Sequence, residues 1–197
     1  MAKMQSSLKN MVLSLTLISL AASAGLGFVY ELTKEPIAMS LLNKKLNAIK
    51  MVVPAFTNDP NAEMFKLPTG TGDSLEVYPA INGKDTVGYA VRSYSNNGFS
   101  GYIGMMVGFK PDGSIYNINV LEQKETPGLG TKMVPEGTPD NPSFKDQFKG
   151  KNPATFALKV KKDGGQVDAI TAATISSRAF CDGVQRAYNT LEKGGLK

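Results

Sequence analysis

Near the end of the chain, Asp168-Ala169-Ile170-Thr171-Ala172-Ala173-Thr174-Ile175-Ser176-Ser177 sets hydroxyl groups among small side chains. Downstream, Phe180, Val184, Ala187, Tyr188 and Leu191 recur at helical spacing, and Gly194-Gly195 supplies a stop. The hydroxyls therefore fall where a helix begins. Thr171 is the natural N-cap, which puts Thr174 in the first turn, among N–H groups that lack intrahelical acceptors. Such a start attracts phosphate, and the small Ala172 and Ala173 let a ligand come close to the backbone. By itself the pattern also suits an ordinary capped helix.

The rest of the inventory narrows the chemistry. The chain has no His, which removes the usual general base and the commonest metal ligand. Cys181 is the only Cys, so an intrachain disulfide, an iron–sulfur cluster and a Cys-based zinc site are excluded. It is expected as a small buried thiol on the last helix. Redox chemistry would have to come from an organic cofactor. A net charge of +5 is spread along the chain with no basic run interleaved with aromatics, so nucleic acid is not an expected partner. A second segment, Glu125-Thr126-Pro127-Gly128-Leu129-Gly130-Thr131-Lys132, places Pro before Gly-x-Gly, a sharp turn able to lie flat against a planar ring.

Both segments carry a resemblance. The first resembles the flavinylation motif of the FMN-binding domain family, D-G-x-(S/T)-G-A-(T/S): Asp168, Thr171, Ala173 and Thr174 match, while Ala169 and Ala172 stand where Gly is usual. Those departures matter if either position needs a positive φ. With the second segment and an N-terminal apolar stretch, the chain is similar to the G-subunit family of the Rnf ion-pumping electron-transport complex. The C subunits of the sodium-pumping NADH:quinone oxidoreductase share the motif but are usually longer.

The resemblance implies FMN held through a phosphoester on Thr174, delivered by a separate flavin transferase that moves the FMN moiety of FAD and releases AMP. It implies that Asp168, Thr171, Ala172, Ala173, Ile175 and Ser176 surround the attachment, and that Glu125, Thr126, Gly128, Leu129, Gly130 and Lys132 surround the ring. In that scheme Leu129 packs on the isoalloxazine, and Lys132 or nearby N–H groups stabilise negative charge on the reduced flavin. Glu125 and Thr126 hydrogen-bond the ring edge. Ser176 and Ser177 either bond the phosphate or are only early-helix polar residues. Asp168 either braces the turn or helps the transferase bind its metal. The implied function is electron transfer between reduced ferredoxin and NAD+, coupled to movement of Na+ or H+, in company with other membrane subunits. The competing readings are a stand-alone exported flavoprotein and a non-catalytic anchored binding module.

The elements that must position these residues follow from periodicity. Residues 11–30 are uncharged and mostly apolar, close to the ~20 residues that cross a bilayer as a helix. Lys3 and Lys9 precede this stretch, so the positive-inside rule puts residues 1–10 in the cytoplasm and the rest outside the cytoplasmic (inner) membrane. Ala22-Ser23-Ala24 keeps a cleavable signal peptide open as an alternative. Ile37, Leu41, Leu42, Leu46, Ile49 and Val53, bounded by Pro36 and Pro54, predict an amphipathic helix within a connecting segment 31–64. A loop is expected over 54–73, where Pro68-Thr69-Gly70-Thr71-Gly72 lacks the Gly-Lys-Ser/Thr ending of a phosphate loop.

Strands are expected at 75–81, 87–94, 102–109 and 115–121, with turns at Asn82-Gly83 and Asp112-Gly113 and a third connection at Asn96-Asn97-Gly98. The stretch 99–104 is placed where it could approach a ligand. Residues 127–153 read as loop with a short helix near 144–148, and 155–160 as a further strand. Val167 to Ile170 reads as a short strand or an approach to the last helix. Strands grouped before a final helix indicate an α+β domain, antiparallel sheet with flanking helices, over residues 65–197.

Overall fold

Leu75, Val77 and Val91 alternate with more polar neighbours, and this period of two decides the centre of the fold. In the computed structural model, which describes residues 7–70 and 72–195, five strands form one antiparallel meander in the order β1-β2-β3-β4-β5. They are β1 (Phe65–Pro68), β2 (Ser74–Asn82), β3 (Asp85–Gly98), β4 (Gly101–Phe109) and β5 (Ile115–Glu122). Lys3 of the predicted cytoplasmic flank and Thr71 of the Gly-rich loop lie outside the described residues. The helices are α1 (Leu8–Val52) and α2 (Thr174–Lys193), so the α+β reading holds. The chain divides into two units at Lys44/Lys45.

The first unit is helical from Leu8 and carries a stretch long and apolar enough to cross a membrane. The expected separation into a spanning helix and an amphipathic one is not seen, because α1 continues through Pro36. A proline within a long helix forfeits one hydrogen bond and crowds the preceding turn, a local cost that the rest of the helix absorbs. Ile37 and Leu41, expected on the packed stripe, are exposed.

In the second unit the sheet is covered on both faces. Val77, Val91 and Val107 stand side by side in register and join Phe180, Val184, Ala187, Tyr188 and Leu191 of α2 in one core. Tyr78, Ala80, Ala90 and Met106 point the other way, onto Ala48, Ile49, Val52 and Val53 at the end of α1. Gly108 makes the second contact possible, since any Cβ there would run into the Val52 carbonyl. On the first face the Ser93 hydroxyl donates to the Gly183 carbonyl at 2.7 Å. Fully burying one such aliphatic side chain contributes about 1.5–3 kcal/mol, so the α2 stripe alone is a large share of what holds the unit together.

Three local expectations change. β1 forms within the predicted 54–73 loop, where Phe65 and Leu67 pack against the main core. Asn96 and Asn97 belong to β3 rather than to a loop, and the chain reverses at Phe99-Ser100, with Gly101 at φ +95°. Asn97 is held there by its N–H to the Ser95 hydroxyl and by its amide to Asp182 on α2. Residues 155–160 form no strand: the Phe156 and Ala157 N–H groups bond the Asn152 carbonyl and the Gln166 side chain, leaving only a Val160–Val167 bridge. The apolar Leu158 and Val160 that suggested a strand are buried as loop anchors. The predicted helix at 144–148 is a 3-10 helix, Phe144–Phe148, whose rings pack with Phe180 of α2.

Candidate functional site

The hydroxyl-rich segment does turn into a helix, but later than capping chemistry indicates. Ala173, not Thr171, is the N-cap of α2, with φ −135°, ψ 45° and no side-chain cap, and Thr174 is the first helical residue. The reason lies in the backbone just before it. Ala172 has φ +60° and is the only non-glycine residue with positive φ among those described. A left-handed residue cannot be part of a right-handed helix, so the helix begins after it. Of the two positions where Ala replaces the usual Gly, Ala172 is therefore the one under strain, and Ala169 is not.

Ser177 completes this turn from inside the helix. Its hydroxyl accepts the Ile170 N–H at 3.0 Å and donates to the Ala173 carbonyl at 2.9 Å, fully buried. Ser176 is also buried, and its hydroxyl donates to the carboxylate of Glu125. Thr174 keeps a half-buried side chain, and Ile175 is 47% exposed.

The Glu125–Lys132 segment folds back onto this helix start. The Thr126 carbonyl accepts the Leu129 N–H at 3.1 Å, while the N–H of Gly128, a residue at φ +75°, donates to the Thr131 hydroxyl at 2.9 Å. The chain then enters a short 3-10 helix, Gly130–Met133. Gly130 packs so closely that a Cβ would lie 2.7 Å from the Ser176 Oγ.

The two segments and the β3–β4 turn enclose a pocket of about 340 Å³, bounded by Thr174, Ile175, Ala172, Leu129, Thr126 and Phe99 among others. That volume is in the range of small-molecule sites. Phe99, Leu129 and Ile175 present partly exposed apolar side chains at it, and Thr174 offers a hydroxyl at the positive end of a 20-residue helix. Apolar walls with a phosphate-favouring helix end suit a planar ring carrying a phosphate. The residues fit FMN.

Not every predicted site residue comes to this pocket. Lys132, Asp168, Ala169, Ile170 and Thr171 line a separate recess together with Glu136 and Phe144. The Asp168 carboxylate is exposed and pairs with Lys161 at 2.7 Å, while its backbone is clasped by the Gln147 amide. Phe99, in the stretch expected to approach a ligand, does line the pocket. Ser177, expected either to bond the phosphate or to be an early-helix polar residue, instead spends its hydroxyl on the backbone of Ile170 and Ala173. Cys181 is buried as expected, and burial pushes its thiol up to about 12, which removes it from nucleophilic chemistry.

Comparison with known proteins agrees with this geometry. The FMN-binding domain family matches residues 98–189, from the β3–β4 turn through the pocket to most of α2. The G subunit of the ion-translocating oxidoreductase complex of Aliivibrio fischeri (strain MJ11) is 34% identical, over 93% of this chain and 90% of that protein. The corresponding G subunit of Pasteurella multocida (strain Pm70) is 33% identical, over 90% of each. The G subunit of the Na(+)-translocating ferredoxin:NAD(+) oxidoreductase complex of Acetobacterium woodii is 30% identical, over 92% of this chain and 91% of that protein. With its FMN-binding domain placed over the Thr174 pocket, the chain belongs to the family of G subunits of ion-translocating oxidoreductase complexes.

Proposed function

We propose that Thr174 carries FMN through a phosphoester on its Oγ, and that the chain is the membrane-anchored electron carrier of an ion-translocating oxidoreductase of the ferredoxin:NAD+ type. The observation that carries this reading is the meeting of Thr174 with Leu129 and Phe99 at one pocket, although they come from three separate segments. The relatives named above are subunits of such complexes, which supports other membrane subunits as partners. Bound flavin supplies transfer of electrons singly or in pairs.

The residues support maturation by a second protein. A Thr hydroxyl is a weak nucleophile without a base. The chain has no His, and the carboxylate in the pocket, Glu125, is engaged by Ser176 and by the Ser100 N–H. A flavin transferase therefore supplies the base. The Oγ–phosphorus bond forms as the bond between the two phosphates of FAD breaks, AMP leaves, and the Thr174 proton passes to the transferase. The phosphodiester keeps one negative charge, which the start of α2 stabilises by about 0.3–1 kcal/mol. Leu129, Ile175 and Phe99 shield the ring from water.

In this reading the apolar part of α1 anchors the chain in the cytoplasmic membrane, and Lys9 on its N-terminal side supports, by the positive-inside rule, an FMN-binding domain on the outer face. Intact mass decides the attachment. Protein made with a flavin transferase should exceed protein made without one by the mass of one FMN less one water, and Thr174→Ala should abolish the difference. A flavin label that survives denaturation in Thr174→Ala would sink the assignment. Thr171 and Ser176 are poor substitutes, since Thr171 lines the other recess and the Ser176 hydroxyl is buried against Glu125.

A further inference from the structure

Glu125 is almost completely buried, at 3% exposure, yet it lines the pocket that holds Thr174. One carboxylate oxygen accepts the Ser100 N–H at 2.9 Å, and the other accepts the Ser176 hydroxyl. The side chain thereby bridges the two segments. Its surroundings are shaped for that bridge. A Cβ on Gly98 would lie 2.8 Å from one oxygen, and a Cβ on Gly130 would lie 2.9 Å from the other. Glu125 thus ties the β3–β4 turn that carries Phe99 to the first turn of the helix that carries Thr174.

We propose that Glu125 is a positioning residue rather than a ligand of the ring edge: it spaces the Phe99 wall from Thr174, and its buried negative charge holds down the reduction potential of the flavin. This rests on the FMN reading above. The first half follows from the two hydrogen bonds. The second follows from electrostatics, because a carboxylate shielded from solvent opposes added negative charge beside it. Its placement at the positive end of α2 offsets the cost of burying it.

The test has a flavin-independent arm and a flavin-dependent arm, both on the full-length chain in detergent. In flavin-free protein, hydrogen exchange at the Ser100 amide should quicken by at least about tenfold in Glu125→Ala, which removes a charge-assisted bond. Glu125→Gln keeps an oxygen acceptor for that amide and should change the rate by less than about threefold. In flavin-loaded protein, Glu125→Gln removes the charge at nearly constant shape. Poised at the wild-type midpoint with dithionite and mediator dyes, it should move the ratio of reduced to oxidised flavin from one to at least about five.

Unchanged Ser100 exchange in Glu125→Ala would overturn the bridging role. An unchanged ratio in loaded Glu125→Gln would overturn the charge effect. Wild-type protein that acquires no flavin would sink the FMN reading and the potential effect with it, while the exchange measurement would still decide the bridge.

Discussion

Ser177 reaches back across the start of its own helix to Ile170, accepting the Ile170 N–H at 3.0 Å with both groups buried. The same hydroxyl donates to Ala173, so one side chain closes the turn that presents Thr174. Ser177→Ala would leave a buried N–H without its acceptor, a cost of about 1–3 kcal/mol. Thermal unfolding should show the loss, and the fraction of chain that accepts flavin at fixed transferase should fall with it. An unchanged unfolding midpoint would mean that the turn is held by other contacts.

Ala172 should be improvable. A left-handed conformation costs an L-residue about 1–2 kcal/mol, and glycine recovers that at an unfolded-state cost of about 0.5–1 kcal/mol. Ala172→Gly should therefore stabilise the chain by about 0.5–1 kcal/mol, with flavin attachment at Thr174 retained. Ala169→Gly, at a position without positive φ, should instead be neutral or destabilising. Equal effects in urea unfolding would argue against the strain at Ala172.

Leu129 and Lys132 lie close in sequence but line different cavities. Leu129→Ala should change the flavin potential or the fluorescence of the bound ring, because it removes a wall of the Thr174 pocket. Lys132→Ala should leave both nearly unchanged. The opposite ranking would place the ring in the recess beside Asp168.

Asp146 sets an acid limit on the loop that covers Phe180. Burial works to raise its pKa, but the Lys149 ammonium at 2.6 Å and two hydrogen bonds from Ser143 outweigh it and bring the carboxyl down to about 2. The unfolded chain would bind this proton at an ordinary carboxylate pKa. The stabilisation is therefore complete above that value and fades as pH falls toward 2, by on the order of 1–2 kcal/mol. Asp146→Asn should be less stable at neutral pH and should show a shallower loss between about pH 4 and pH 2. Parallel pH–stability curves for the two proteins would refute the linkage.

Protease added to the outer face of sealed membranes should digest the FMN-binding domain and leave residues 1–10 protected. Digestion only from the cytoplasmic face would overturn the proposed orientation. A mature N-terminus at Gly25 would show cleavage after Ala24, leaving the export of the domain intact and the anchor wrong.

Much of this fold could be read along the chain because its signals are local. The strand-forming runs of β2 to β5 and a period near 3.6 in α2 arise from neighbouring residues, and so does the turn chemistry of Asn82-Gly83 and Asp112-Gly113. The D-A-I-T-A-A-T and E-T-P-G-L-G segments could likewise be found as strings, and with them the resemblance to a flavin-binding family. What tertiary structure decided depends on partners remote in sequence. The first residue of α2 was set by the left-handed Ala172, which a capping rule for Thr171 does not see. β1 exists because β2 pairs with it, whereas 155–160 was denied a partner strand despite its apolar residues. Sequence spacing joined Leu129 with Lys132 and Thr171 with Thr174, but the folded chain separated both pairs into two cavities. A local period reports which face a residue takes; only the packed chain determines what lies opposite that face.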